Sequence, residues 1–247
     1  MPKAKDHPTI FRGWSIRSIL AGSKTQMRRV VNPQPPGDVC SVTWDDMGGD
    51  WIGTVGSRGD PTSRIRWSAT CPYGKPGDIL WVREAWNGYA LPGWYDKGKW
   101  LHELPSRLRI PEVTHFMQYR ADRSAYRVDP TEMWSKGWKD DVPLEKANHE
   151  FYEEPPRWKP SIHMFKWMSR LRLQVEGVRV ERLQEISEDD AISEGVKPVI
   201  RQSTSTYGGD TISAVIAFKE RWNETYGRGD WEKNPWVWVV SFSKIEE

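Results

Sequence analysis

Eight consecutive residues, Gly22-Ser23-Lys24-Thr25-Gln26-Met27-Arg28-Arg29, bring three cations and several polar side chains together. A core strand has no use for such a set. Lys24 offers an ammonium that can hold a phosphate or polarise a carbonyl; once buried, its pKa falls and it can act as a base. Arg28 and Arg29 present fork-shaped donors that fit a phosphate or the edge of a nucleobase. Thr25 and Gln26 add uncharged donors and acceptors. The chemistry this points to is the grip on a phosphate or a polar base.

A short helix must place this segment. In Trp14–Ala21, Ile16, Ile19 and Leu20 fall at i, i+3 and i+4 and form one apolar stripe. Gly22 suits the position just past the helix end. Lys24 to Val31 reads as extended chain, closed by Asn32-Pro33-Gln34-Pro35-Pro36-Gly37. Residues 37–70, with isolated Trp44, Trp51 and Trp67, read as a loose hairpin or long loop. The turn Tyr73–Asp78 feeds a strand, Ile79–Trp86.

Residues 87–160 are rich in Pro, Gly, Trp and charge, with a strand expected at Met117–Ala121. A run this long either has its own function or covers the site. Beyond it, Leu171, Leu173 and Val175 alternate inward, and Gly177–Leu183 reads as a second strand. Ser187-Glu188-Asp189-Asp190 has the form of a capping box for a short helix that stops at Gly195. Thr211–Tyr226 reads as a longer helix, and Trp236–Phe242 as a buried final strand. The plan is α+β.

Composition narrows the classes. The chain has 247 residues and a net charge of +2, too little for a protein that coats DNA. The charge is uneven: residues 1–36 hold seven Lys/Arg against one acid, and 157–182 hold seven against two. If the fold joins them they form one basic patch. Sixteen Trp supply either core or base-stacking surface. Trp86 and Trp167 are stacking candidates, and Trp81 is a third. His163 and Arg170 are candidate nucleic-acid contacts. Glu84 either faces the same cavity or pairs with Arg28 or Arg29. Cys40 and Cys71 read as reduced thiols. No P-loop, HExxH, GxSxG or Cys/His zinc spacing occurs, so no metal or cofactor is expected. No apolar run approaches the ~20 residues of a membrane helix, and no leader is evident. The expectation is a cytoplasmic protein.

Gly22-x-Lys24-x-x-x-x-Arg29 resembles the GxKxxxxR signature of the ASCH domain family, whose fold is a PUA-like β-barrel. Lys75–Leu80, Ser187–Val196 and Trp236–Ile245 resemble that family's turn-plus-strand, acidic helix and closing strand, in the same order. Ile162-His163-Met164 with Trp167, Ser169 and Arg170 is similar to its enlarged phage and prophage members. The resemblance implies a single domain over 1–247: a small β-barrel flanked by helices, with its core near 8–36, 70–86 and 160–247. Residues 37–69 and 87–159 would be irregular insertions.

It also implies a groove for RNA, a nucleoside or a modified nucleotide. One branch, the N4-acetylcytidine amidohydrolases, uses a Lys, a Thr three residues later and a Glu in the acidic helix. Here these positions hold Lys24, Met27 and Glu194, so the hydroxyl is missing. Lys24 and Glu194 make a workable acid/base pair, or a plain ion pair that fixes the short helix. Three functions follow as expectations. They are single-stranded nucleic-acid or modified-nucleotide binding, hydrolysis of an N4-acylcytidine or of RNA, and binding of a host protein through 87–160 by a phage accessory protein.

Overall fold

In a computed structural model, residues 4–55, 64–91, 95–96, 99–100, 114–123, 125–128, 158–201 and 211–245 are described. The chain divides into two compact units. The first holds Met1–Thr9, Ser15–Val82 and Arg170–Glu247; the second holds Ile10–Trp14 and Arg83–Ser169.

The chain begins with β1 (Asp6–Ile10), α1 (Gly13–Leu20) and β2 (Gln26–Val30). A meander follows: β3 (Ser41–Asp45), β4 (Asp50–Val55) and β5 (Arg64–Ala69). Next comes β6 (Ile79–Arg83). The second unit contributes β7 (Trp86–Leu91), β8 (Tyr95–Asp96), β9 (Lys99–Trp100), β10 (Thr114–Tyr119) and β11 (Ala125–Val128). The chain then returns with β12 (Arg172–Arg182), α2 (Glu188–Ser193) and β13 (Val199–Arg201). It ends with β14 (Thr211–Ser213), α3 (Ala214–Tyr226) and β15 (Trp236–Lys244).

The first unit is built on a five-stranded sheet of order β1-β6-β12-β15-β2. β15 sits inside it, antiparallel to both β12 and β2. Both of its faces are covered, so Trp236 through Val240 are buried without alternation. β12 runs through Gly177 as one strand where two were expected. The register shifts between Val175 and Gly177, and the glycine bends the strand there without ending it. Leu171, Leu173 and Val175 are buried, as the alternation predicts.

The architecture is mixed α+β, mostly sheet with few helices. Among the described residues the sheet is open, with β1 and β2 at its edges, where a closed small barrel is expected. Residues 37–70 are expected as a loose hairpin or long loop, and their described part is a hairpin extended by a third strand. β3, β4 and β5 form an antiparallel sheet of the first unit, and Trp51 meets Trp238 edge to face at 5.9 Å. Residues without helical or long alternating periodicity gave no sign of the third strand, because the isolated tryptophans supply the packing.

Thr211–Ser213 is a short strand, so the long helix starts only at Ala214. The Ser213 hydroxyl accepts from the Ile216 N–H and caps it. In the second unit, β10 lies between β7 and β11, and Trp86, Tyr119, Met164 and Met168 form a core. Cys40 and Cys71 are free, and burial pushes the Cys71 thiol up to about 12. Among the described residues no helix is long and apolar enough to cross a membrane.

Candidate functional site

The end of α1 sets the position of Lys24. Gly22, at φ +72°, donates to the Ile19 oxygen, and Ser23 donates to the Ser18 oxygen. These two bonds are a Schellman stop, which a residue with a Cβ adopts only under strain. The chain leaves this turn directly against the end of α2. Thr25 donates to the Ser193 oxygen at 2.9 Å, and Lys24 makes an isolated antiparallel bridge with Glu194. Gly195, at φ +83°, permits the contact: a Cβ there would lie 2.8 Å from the Lys24 Cβ.

Strand alternation then sorts the side chains. Lys24, Gln26 and Arg28 face one way, and Met27 and Arg29 the other. Arg28 pairs with Val239, which pairs in turn with Arg179; Val30 and Glu181 both pair with Val237. Arg179 and Glu181 of β12 therefore share the face of Arg28. Asp190 and Glu194 reach this face from α2, and the Arg28 guanidinium lies 5.9 Å from the Phe218 ring of α3.

The result is an alternating chain of charges. Lys24 Nζ donates to Glu194 Oε2 at 2.6 Å and to the Glu194 backbone oxygen at 2.7 Å. Arg28 Nη1 reaches Glu194 Oε1 at 3.4 Å and also donates to Gln26 Oε1. Its Nη2 holds Glu181 Oε1 at 2.5 Å and Asp190 Oδ2 at 2.8 Å. Arg179 closes the chain, with Nε on Glu181 Oε2 at 2.9 Å and Nη2 on Asp190 Oδ2 at 2.7 Å. Gln26 Nε2 donates to Asp190 Oδ1 at 3.2 Å. Three cations meet three carboxylates, so the network as a whole is neutral.

Its inner end is closed off from water: Lys24 is 4 % exposed and Glu194 3 %. The Arg179 side chain, 42 % exposed, is the outer end. Burial holds the Lys24 ammonium below its usual pKa, against the opposing pull of Glu194, and Arg29 and Arg28 push the same way as burial. Burial would raise Asp190, but Arg28 and Arg179 outweigh it and hold the carboxyl low. A lysine that gives up its proton more readily, hydrogen-bonded to a carboxylate, is equipped to move protons. The same contacts fasten α2, because Lys24 also satisfies a carbonyl at its C-terminal end.

The candidate residues fall into two groups. Lys24, Gln26, Arg28 and Glu194 meet in this network. Gly22 contributes only its backbone turn, and Thr25 is exposed. Arg29 is half-buried on the opposite face of β2, beside Met27, so it does not join the network of Lys24 and Glu194. Met27 is a core residue; the position of the missing hydroxyl points away from Lys24. Arg170 is half-buried in the first unit.

Glu84, Trp86, His163 and Trp167 belong to the second unit. Glu84 is buried, with its N–H on Met164 Sδ. Trp86 is 2 % exposed and Trp167 packs on the same core. Burial of Trp86 and of Trp81, 8 % exposed, corrects their reading as stacking surface, while Trp167 is only partly buried against the core. His163 is exposed. Residues 92–94, 97–98, 101–113, 124 and 129–157, most of the long insertion, lie outside the described residues.

Sequence reasoning did not select Arg179, Glu181 or Asp190. Asp190 was read as part of a helix cap, and its N–H does bond to Ser187 Oγ, while its carboxylate serves the network. Arg179 and Glu181 carry one usable signal: opposite charges two apart on a strand share a face. Among the described residues, no group of three or more His, Cys, Asp or Glu is placed to hold a metal ion. The three carboxylates are already taken by Lys24, Arg28 and Arg179. Comparison with protein-family models, curated proteins and solved structures gives no match.

Proposed function

We propose that the chain is a nucleic-acid-binding protein of the ASCH, PUA-like type that takes a single-stranded or modified nucleotide at this network, approached from its solvent-open Arg179 end. The observation that carries this reading is the buried Lys24–Glu194 pair at the end of a neutral chain of alternating donors and acceptors. A charge-balanced site has little to gain from a phosphate, which needs surplus cation. It suits the edge of a nucleobase, which presents donors and acceptors side by side without charge. Phosphates would then be met by basic residues of the same unit outside the network.

Binding of labelled single-stranded RNA and DNA, measured while salt is raised, tests this. Affinity that falls with salt supports the reading; no binding at low salt rejects it.

A second reading, hydrolysis of an N4-acylated cytidine, is favoured by one observation: Lys24 has a lowered pKa and touches Glu194 at 2.6 Å. The Glu194 carboxylate would take a proton from the water that attacks the acyl carbon, and Lys24 would give one to the departing N4 amine and regain it from Glu194, leaving a carboxylic acid and the free cytidine. Turnover of acylated cytidines by wild type and Glu194→Gln separates this reading from binding alone. Equal rates, or no turnover by either, reject it.

A further inference from the structure

The outer end of the network holds a guanidinium with one edge in use. Arg179 donates through Nε to Glu181 Oε2 at 2.9 Å and through Nη2 to Asp190 Oδ2 at 2.7 Å. A guanidinium is a planar fork with two donor edges, Nε beside Nη2 and Nη1 beside Nη2. The carboxylates take the first edge. No hydrogen bond among the described residues engages Nη1, and the side chain is 42 % exposed, so the second edge is the one open to solvent.

The clamp on Arg179 reaches back into the sheet. Arg179 and Arg28 flank the buried Val239 from β12 and β2, two strand spacings or roughly 10 Å apart. Glu181 and Asp190 stand between them and serve both: Arg28 Nη2 donates to Glu181 Oε1 at 2.5 Å and to Asp190 Oδ2 at 2.8 Å. The Arg28 side chain is fully buried, so it fixes the two carboxylates, and they fix Arg179. An arginine at a surface loses side-chain freedom when it meets a ligand; this one has lost it beforehand. Charge balance asks only for a cation at this position, which a lysine would supply. Balance leaves the fork, and the edge it turns outward, unexplained.

We propose that Arg179 is the specificity-determining residue of this site. Its outer edge reads a nucleobase edge with two adjacent acceptors, as guanine has at O6 and N7 and unpaired cytosine at N3 and O2. The inference deepens the binding reading above and rests on it. A fixed fork donating two parallel bonds is the geometry that discriminates bases most sharply. Adenine sets an amine donor beside N7, and thymine sets an N–H beside each carbonyl, so either one opposes a donor to a donor. A phosphate is the poorer occupant, because Glu181 and Asp190 stand directly behind the guanidinium and already balance its charge.

The test uses the full chain and fluorescence anisotropy with short labelled oligothymidines of equal length and charge, one central base being guanine, cytosine, adenine or thymine. Wild type is expected to bind the guanine or the cytosine strand about 10-fold more tightly than the adenine and thymine strands. Which of the two is preferred identifies the edge that is read. Replacing that base by 7-deazaguanine or 3-deazacytosine, each short of one acceptor, should remove the preference. Arg179→Lys keeps the charge and loses the fork, so its affinities should fall within about 2-fold of one another. Urea unfolding checks that this variant is folded, and the deaza strands test the edge on wild type alone. A preference that survives either change overturns the inference and leaves the binding reading standing. So does a wild type that ranks the strands equally or favours adenine. Wild type that binds no strand overturns both.

Discussion

Lys24 spends two hydrogen bonds on one residue: its ammonium holds both the carboxylate and the backbone oxygen of Glu194, at 2.6 and 2.7 Å. The two residues are 170 positions apart in sequence and bridge directly in space. One bond joins charges, and the other completes a helix end. The pair therefore has a structural duty whatever chemistry it also performs, and variants must be read on both scales.

Removing Lys24 alone leaves the Glu194 carboxylate buried with, among the described residues, the longer Arg28 contact at 3.4 Å. Lys24→Met should destabilise the protein by about 3 kcal/mol, as expected when one partner of a buried pair is lost. Adding Glu194→Gln should recover part of that loss. Urea unfolding of the two single variants and the double measures the coupling. Strict additivity would show that the pair contributes no interaction of its own.

Met27→Thr restores the residue type that the amidohydrolase pattern has three positions after the lysine. It should not help. The side chain lies on the core face of β2, so the change leaves a cavity and buries a hydroxyl, at a cost of about 2–4 kcal/mol. Lower stability with no gain in deacylation is expected. A rise in turnover would place the hydroxyl near Lys24 and contradict the strand parity.

Gly195→Ala meets both a positive φ and close side-chain neighbours, since the new methyl would touch the Cβ atoms of Lys24 and Ser18. A loss of about 1–3 kcal/mol is expected, together with a loosened Lys24–Glu194 pair. Gly177→Ala is the control: a Cβ there meets nothing within 4 Å, and its effect should stay below about 1 kcal/mol. Thermal melts of the two variants compare the sites. Equal shifts would mean that close approach at residue 195 is not the constraint.

Asp190 is held below its ordinary pKa of 3.8 in the folded state, burial being outweighed by Arg28 and Arg179. The unfolded chain therefore binds the proton more readily. Asp190 contributes its full stability above 3.8 and loses it as pH falls through the lower folded value. Stability should hold from neutral pH down to about 5 and then decline, more gently in Asp190→Asn. The denaturant midpoint as a function of pH is the readout. An identical acid decline in the variant would remove Asp190 from the network's electrostatics.

How much of this was legible depended on whether the signal was local. The apolar stripe of α1, the glycine that stops it, the alternation of Leu171, Leu173 and Val175 and the buried run of β15 are all written within a few residues. Each was readable because helix and strand periods fix which neighbours share a face. The β3–β5 meander was legible only as a loose hairpin or long loop, because long-range packing decides it: Trp51 finds its place against Trp238.

The site divides in the same way. Sequence alone determined that Lys24, Gln26 and Arg28 stand together, since alternate residues of one strand must share a face. It also nominated Glu194 through the resemblance. The same alternation turns Met27 and Arg29 to the other face, and only the tertiary structure decided that Arg179, Glu181 and Asp190 complete a neutral network. Those relations come from cross-strand register and from the docking of a six-residue helix, both of which bring together residues with no periodic link along the chain. The cationic segment is thereby a balanced, buried array, and burial rather than the number of charges sets the proton affinity of Lys24.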